Sequence, residues 1–147
     1  MAIYRIYPEK DTYINSEPST GGIYGNAGKD EILEVGGYTD IDFVGRTNRA
    51  LIQFKQSDIV YAVNQKISGP ISASLNLKLA DATELPNSYS IFVYPISGGW
   101  TNGTGKGDDQ PKNQTGCSWQ YKDDGNTEWV SLGGDFITGT SGQVTYD

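Results

Sequence analysis

The sequence predicts an all-β protein whose strands pair mainly antiparallel, in a sandwich or a barrel. Three observations lead there. The clearest patterned stretch alternates apolar and polar residues with a period of two. Glycine pairs stand at Gly21-Gly22, Gly36-Gly37, Gly98-Gly99 and Gly133-Gly134, where positive backbone angles permit tight turns between short strands. No stretch is long enough to supply the crossover helix that a parallel sheet requires.

The elements follow in chain order. Residues 3–7, 12–15 and 32–35 are short strand candidates. In Asn48-Arg49-Ala50-Leu51-Ile52-Gln53-Phe54, a strand puts Ala50, Ile52 and Phe54 on one side and Arg49, Leu51 and Gln53 on the other. Residues 56–66 can hold a turn or two of helix around Ser57-Asp58-Ile59-Val60. The strongest alternation lies at 71–79, where Ile71, Ala73, Leu75, Leu77 and Leu79 interleave with Ser72, Ser74, Asn76 and Lys78. It predicts a strand with one wet face. At 91–96 both faces are apolar, and Pro95 belongs at an edge or a strand end because it has no N–H for a ladder. Weaker segments surround Trp119, Trp129 and Val144. From Ser97 to Pro111 runs a glycine-rich loop that no hydrophobic period explains. It reads as an ordered excursion after the central strands, pinned by Trp100, Trp119, Tyr121 and Trp129.

The length of 147 residues allows one domain, 1–147, with one core. Apolar runs of a few residues exclude a helical membrane span. The polar, acid-containing start lacks the basic flank and apolar stretch of a secretory signal, so the chain is expected to be made in a cytosol and to stay there. Eleven Lys and Arg against 18 Asp and Glu give a net charge of −7, which repels phosphate backbones and anionic headgroups. Neither nucleic acid nor a membrane is an expected partner.

The chain has no histidine. That removes Ser-His-Asp and Cys-His sites, His-ligated zinc and the commonest general base near neutral pH, so a non-enzyme without a cofactor is expected. The single Cys117 reads as a small buried hydrophobe. The glycines between Gly99 and Gly107 fail the phosphate-loop pattern, because Gly105-Lys106 is followed by Gly107 and position 100 is Trp. Asn102-Gly103-Thr104 and Asn113-Gln114-Thr115 match glycan-acceptor sequons, by chance if no secretory route applies. Asp40 with Asp42, Asp108 with Asp109, and Asp123 with Asp124 could offer oxygens to a hard cation, but none has the spacing of a known loop. They read as turn aspartates, and no metal is expected. With 18 acidic side chains a carboxylate pair is unavoidable, and no spacing singles one out for glycoside cleavage.

Aromatics are the remaining signal, at 12% of the chain. Trp100, Tyr121 and Trp129 are the candidates for contact with a glycan or a protein interface, since rigid rings bring large area at small entropic cost. The competing reading is that the tryptophans fill the core and pin the loop. For Tyr24, Tyr38, Tyr89 and Tyr146 the sequence does not separate surface from core.

Taken together, Asp11-Thr12-Tyr13-Ile14, Tyr24-Gly25-Asn26, Ile32-Leu33-Glu34-Val35-Gly36, Arg49-Ala50-Leu51-Ile52-Gln53-Phe54, Ile71-Ser72-Ala73-Ser74-Leu75-Asn76-Leu77 and Trp100 resemble the DNRLRE-type domains. Those domains look like carbohydrate-binding modules. The resemblance spans roughly the first 100 residues and implies a jelly-roll β-sandwich. The later Trp100-Thr101-Asn102-Gly103-Thr104-Gly105, Gly116-Cys117-Ser118-Trp119-Gln120-Tyr121 and Gly133-Gly134-Asp135-Phe136 are similar to a subgroup of tailed-phage virion and appendage proteins. Phe54-Lys55 departs from the usual Phe-Asp, which puts an acidic role there in doubt. Relatives also continue past a segment like Gly142-Gln143-Val144-Thr145-Tyr146 into closing strands, so an open edge is expected here, completed either by further chain or by a neighbour.

The resemblance implies a non-catalytic bacteriophage structural protein: a capsid decoration, neck or fibre-attachment domain in a virion assembled in the host cytoplasm. Its partners would be other virion proteins, copies of itself in a multi-copy assembly, and a host surface glycan. The alternative is a carbohydrate-binding module of a larger secreted enzyme or adhesin.

Overall fold

The computed structural model describes residues 3–19, 21–80, 89–139 and 142–146. Among the described residues, the strands form two antiparallel sheets. The first has three strands in the order β1-β3-β2, built from β1 (Pro8–Asn15), β2 (Gly36–Thr39) and β3 (Gly45–Phe54). The second pairs β4 (Tyr89–Val93) with β5 (Gly142–Tyr146), Ile91 facing Val144. A six-residue helix α1 (Gln56–Tyr61) runs into a π-helical turn at Ala62–Lys66, as the helical reading of 56–66 expects. Among the described residues, no helix is long and apolar enough to cross a membrane.

The register of β1 on β3 decides where the core lies. Thr12 faces Leu51 and Ile14 faces Arg49, while Tyr13 faces Ala50 and Asn15 faces Asn48. Residues directly opposite in an antiparallel pair share a face. Lys10, Thr12, Ile14, Arg49, Leu51 and Gln53 therefore lie on one face, and Tyr13, Asn15, Asn48, Ala50 and Ile52 on the other. The core forms on the Leu51 side, where Ile14, Leu51, Trp100, Cys117 and Trp129 are buried together and Ile96 and Trp119 pack against them. The sequence offered two faces for this strand, and the one carrying Arg49 is the inner one. Its guanidinium escapes the cost of an unpaired charge by lying 4.7 Å from the Trp119 ring centroid and 4.8 Å from that of Phe136, while Nη1 donates to the Gly133 carbonyl at 2.8 Å.

The excursion from Ser97 onward covers this face. Trp100 and Trp129 are 5% and 4% exposed. A buried ring of that size removes about 200 Å² from water, worth about 5 kcal/mol at most. The Trp129 indole N–H donates to the Ser118 carbonyl at 2.9 Å, so the burial leaves no donor orphaned. Backbone bonds from Cys117 to Thr101, Thr101 to Lys122 and Lys122 to Thr127 stitch the loop to itself. Ser97 and Ile137 tie its base through Asp135 and Pro95. Pro95 sits two residues past β4, where it costs no ladder bond.

Several strand expectations are corrected. Residues 3–7 and 32–35 are irregular, and the strands nearest them begin at Pro8 and Gly36. The segment 71–79 is not a strand: it runs on without a turn or bend, and every residue in it is exposed. Alternation describes what a strand would bury but cannot create the neighbour it must pair with. Around Trp119 and Trp129 regular pairing is reduced to a single bridge between Tyr121 and Glu128.

Candidate functional site: a glycine-packed knot, a polar cleft and two exposed apolar features

Asn26 organises the region beside the sheet. It is 1% exposed, and all four of its side-chain hydrogen-bonding positions are used. Nδ2 donates to the carbonyls of Asn102 at 2.7 Å and Cys117 at 2.8 Å, and Oδ1 accepts from the backbone N–H of Gly28 at 2.9 Å and Gly105 at 3.0 Å. Three distant stretches of chain meet on one amide. They approach so closely that a Cβ on Gly28 would stand 2.1 Å from the Asn102 carbonyl oxygen, and one on Gly105 would stand 2.3 Å from that of Asn26. The glycine cluster that invites comparison with a phosphate loop is thus a packing device. Asn102, the first sequon's acceptor, has its Nδ2 donating to the Gly28 carbonyl at 2.9 Å. Asn113, in the second, turns its Oδ1 onto the N–H and hydroxyl of Thr115.

Next to the knot opens a small polar cleft lined by Tyr13, Asn15, Glu17, Gly107 and Lys112, on the face opposite the tryptophans. The Asn15 amide donates to the Tyr38 hydroxyl at 3.1 Å, and that hydroxyl donates to Glu17. Burial, a hydrogen bond to Asp30 and the negative field of Glu34 and Asp108 push the Tyr13 phenol well above its ordinary value. Glu34 is raised too, by desolvation and by Asp30, although Asn48 donates to it at 2.7 Å. These groups sit at separations that no motif marks. Tyr13 was legible only as part of a strand.

The paired aspartates take up backbone donors, as turn residues do. Asp40 accepts from the N–H of Asp42 and Val44 and pairs with Arg46 at 2.7 Å. Asp123 accepts from Asn126 and Thr127, Asp124 from Gly116, and Asp109 from Lys106. Among the described residues, no three acidic or thiol side chains converge as a metal group would need. Cys117 is fully buried among the core residues, and burial pushes its thiol up to about 12.

Of the three predicted contact residues, Trp100 and Trp129 occupy core positions and have no ring face free for a sugar. Here the core-filling reading holds. Tyr121 is half-buried and holds the bridge to Glu128. The structure does not bring these three into one surface site. Tyr24 is half-buried and Tyr38 is 39% exposed; the side chains of Tyr89 and Tyr146 lie outside the description.

The exposed apolar groups were not singled out by the sequence. At the turn between β2 and β3, Ile41 is 93% and Phe43 90% exposed, with Phe43 at a φ of +60°. A bulky residue with positive φ is costly and persists only where its surroundings hold it. Asp40 is what holds it, through the carboxylate bonds above and through backbone bonds that pair Asp40 with Val44 and Phe43. A second exposed feature is the ring pair Phe92 and Tyr94, centroids 6.4 Å apart and planes 20° from parallel.

No family model, curated protein or solved structure matches this chain.

Proposed function

We propose that this chain is a non-catalytic structural protein of a tailed bacteriophage, a decoration, neck or fibre-attachment domain. It works by docking onto other virion subunits, and its two sheets belong to a jelly-roll-like β-sandwich. The observation that carries the docking reading is the locked hairpin tip. A protein gains nothing in its own stability by holding Ile41 and Phe43 in water on a strained turn, whereas a preorganised apolar anchor lowers the entropic cost of association and fills a partner's pocket. The assignment to a virion rests on the resemblance of the segments around Trp100, Trp119 and Phe136 to tailed-phage appendage proteins.

The test is made on particles. Virions purified from the host in which the phage replicates should contain the chain in fixed stoichiometry by mass spectrometry. A Phe43→Asp variant, soluble and folded by circular dichroism, should be lost from them. Unchanged incorporation of that variant, or a chain absent from the particles, would refute the reading.

A second reading is favoured by the Phe92–Tyr94 pair. Both side chains are exposed and offer apolar ring surface against which a pyranose can pack, as in a carbohydrate-binding module. Glycan titration distinguishes the two readings: saturable binding lost in Tyr94→Ala, with the fold intact, supports the module.

A further inference from the structure

We propose that residues 71–79 form an intermolecular β-ribbon, pairing antiparallel with the same segment of a second copy of the chain about a two-fold axis at Leu75. The inference rests on the docking reading above and names one partner for it.

Four observations lead to it. The segment runs without a turn or bend, is exposed throughout and makes no backbone hydrogen bond to the described residues. Its polar residues share one side, with Asn76 Nδ2 donating to Ser74 Oγ at 3.4 Å, while Ile71, Leu75, Leu77 and Leu79 lie 43–65% exposed. Left open, such an edge templates pairing with another chain. The pattern is also self-complementary. Centred on Leu75, Ile71 meets Leu79, Ala73 meets Leu77, Ser72 meets Lys78 and Ser74 meets Asn76, so all apolar side chains of both copies share one face. A slip by one residue would set apolar against polar throughout. Lys78 is the only charge from Ile67 to Ala80, so no like charges face each other.

The register makes a sharp test. Residue 75 meets its own copy across the axis, within the span a disulfide bridges, whereas residues 79 of the two copies stand about 27 Å apart along the ribbon. The native Cys117 is buried and takes no part. Leu75→Cys and Leu79→Cys are made in the full chain, checked by circular dichroism, and oxidised at micromolar concentration. Leu75→Cys should become a disulfide dimer, Leu79→Cys at least about tenfold less, and the unmodified chain should show twice the single-chain mass by light scattering. A monomer by light scattering overturns the inference, and so does equal cross-linking of the two variants. Neither result bears on incorporation of the Phe43→Asp variant into particles, by which the docking reading is judged.

Discussion

Asn26 and Cys117 stand 91 positions apart in the chain, yet the side-chain amide of the first donates to the backbone carbonyl of the second at 2.8 Å, in a site closed to water. With the bonds to Asn102, Gly28 and Gly105, this contact anchors the long excursion to the start of the chain.

Removing the Asn26 side chain should therefore be far costlier than its size suggests. Asn26→Ala leaves two carbonyls and two N–H groups without their partner, for a loss of roughly 3 kcal/mol or more. Asn26→Asp should cost more still, because a carboxylate faces the two carbonyl oxygens that the amide served. Urea midpoints measure both; a loss below about 1 kcal/mol in Asn26→Ala would mean the knot does not hold the fold.

Gly105→Ala tests close packing independently of hydrogen bonding. Its Cβ would stand 2.3 Å from the Asn26 carbonyl oxygen, so about 2–3 kcal/mol of destabilisation is expected, whereas Gly99→Ala, with open space around it, should be nearly neutral. Thermal melts of the two variants decide it.

Trp100→Ala should destabilise by roughly 3–5 kcal/mol, as a core ring does. Loss of glycan binding without loss of stability would instead restore Trp100 as a contact residue.

The Cys117 thiol, fully buried and pushed up to about 12, should not react with a water-soluble thiol reagent at neutral pH in the native state. It should react at once in denaturant. Labelling that proceeds without unfolding would contradict the burial.

Two opposite pH effects are expected. Asp40, held low chiefly by the Val44 N–H and then by Arg46, and Asp123, held low by Thr127, have folded values below their ordinary 3.8. Their contribution is present above that value and is lost as pH falls through the lowered one, so stability should drop below about pH 4. Glu34 runs the other way. Its raised value, from desolvation and Asp30, favours the folded state only at low pH, where it is protonated. Glu34→Gln should raise the urea midpoint at pH 7, and the gain should vanish below pH 4.5, the ordinary glutamate value. A gain that persists in acid would assign the effect to something other than charge.

What was legible in the sequence was whatever is written locally. The strand around Leu51, the helical turn after Gln56 and the burial of Cys117 follow from period, propensity and composition. The knot was not legible, because Asn26 meets Asn102, Gly105 and Cys117 at separations of 76 to 91 residues and leaves no period behind. Its one trace was the spacing of Gly103, Gly105 and Gly107, which reads equally well as loop. The inner face of β3 was hidden for a different reason. Arg49 marks that side as polar until Trp119 and Phe136 cover its guanidinium. For 71–79, the alternation was visible, but that it has no paired strand among the described residues was not.

The hairpin tip gives the most direct measurement. A photoreactive benzophenone analogue placed at Phe43, where the ring is 90% exposed, should cross-link the chain in assembled virions to one other virion protein or to another copy of itself, in a single band identified by mass spectrometry. Virions in which the analogue is incorporated but forms no adduct under illumination would contradict the claim that Ile41 and Phe43 anchor this domain to a neighbour.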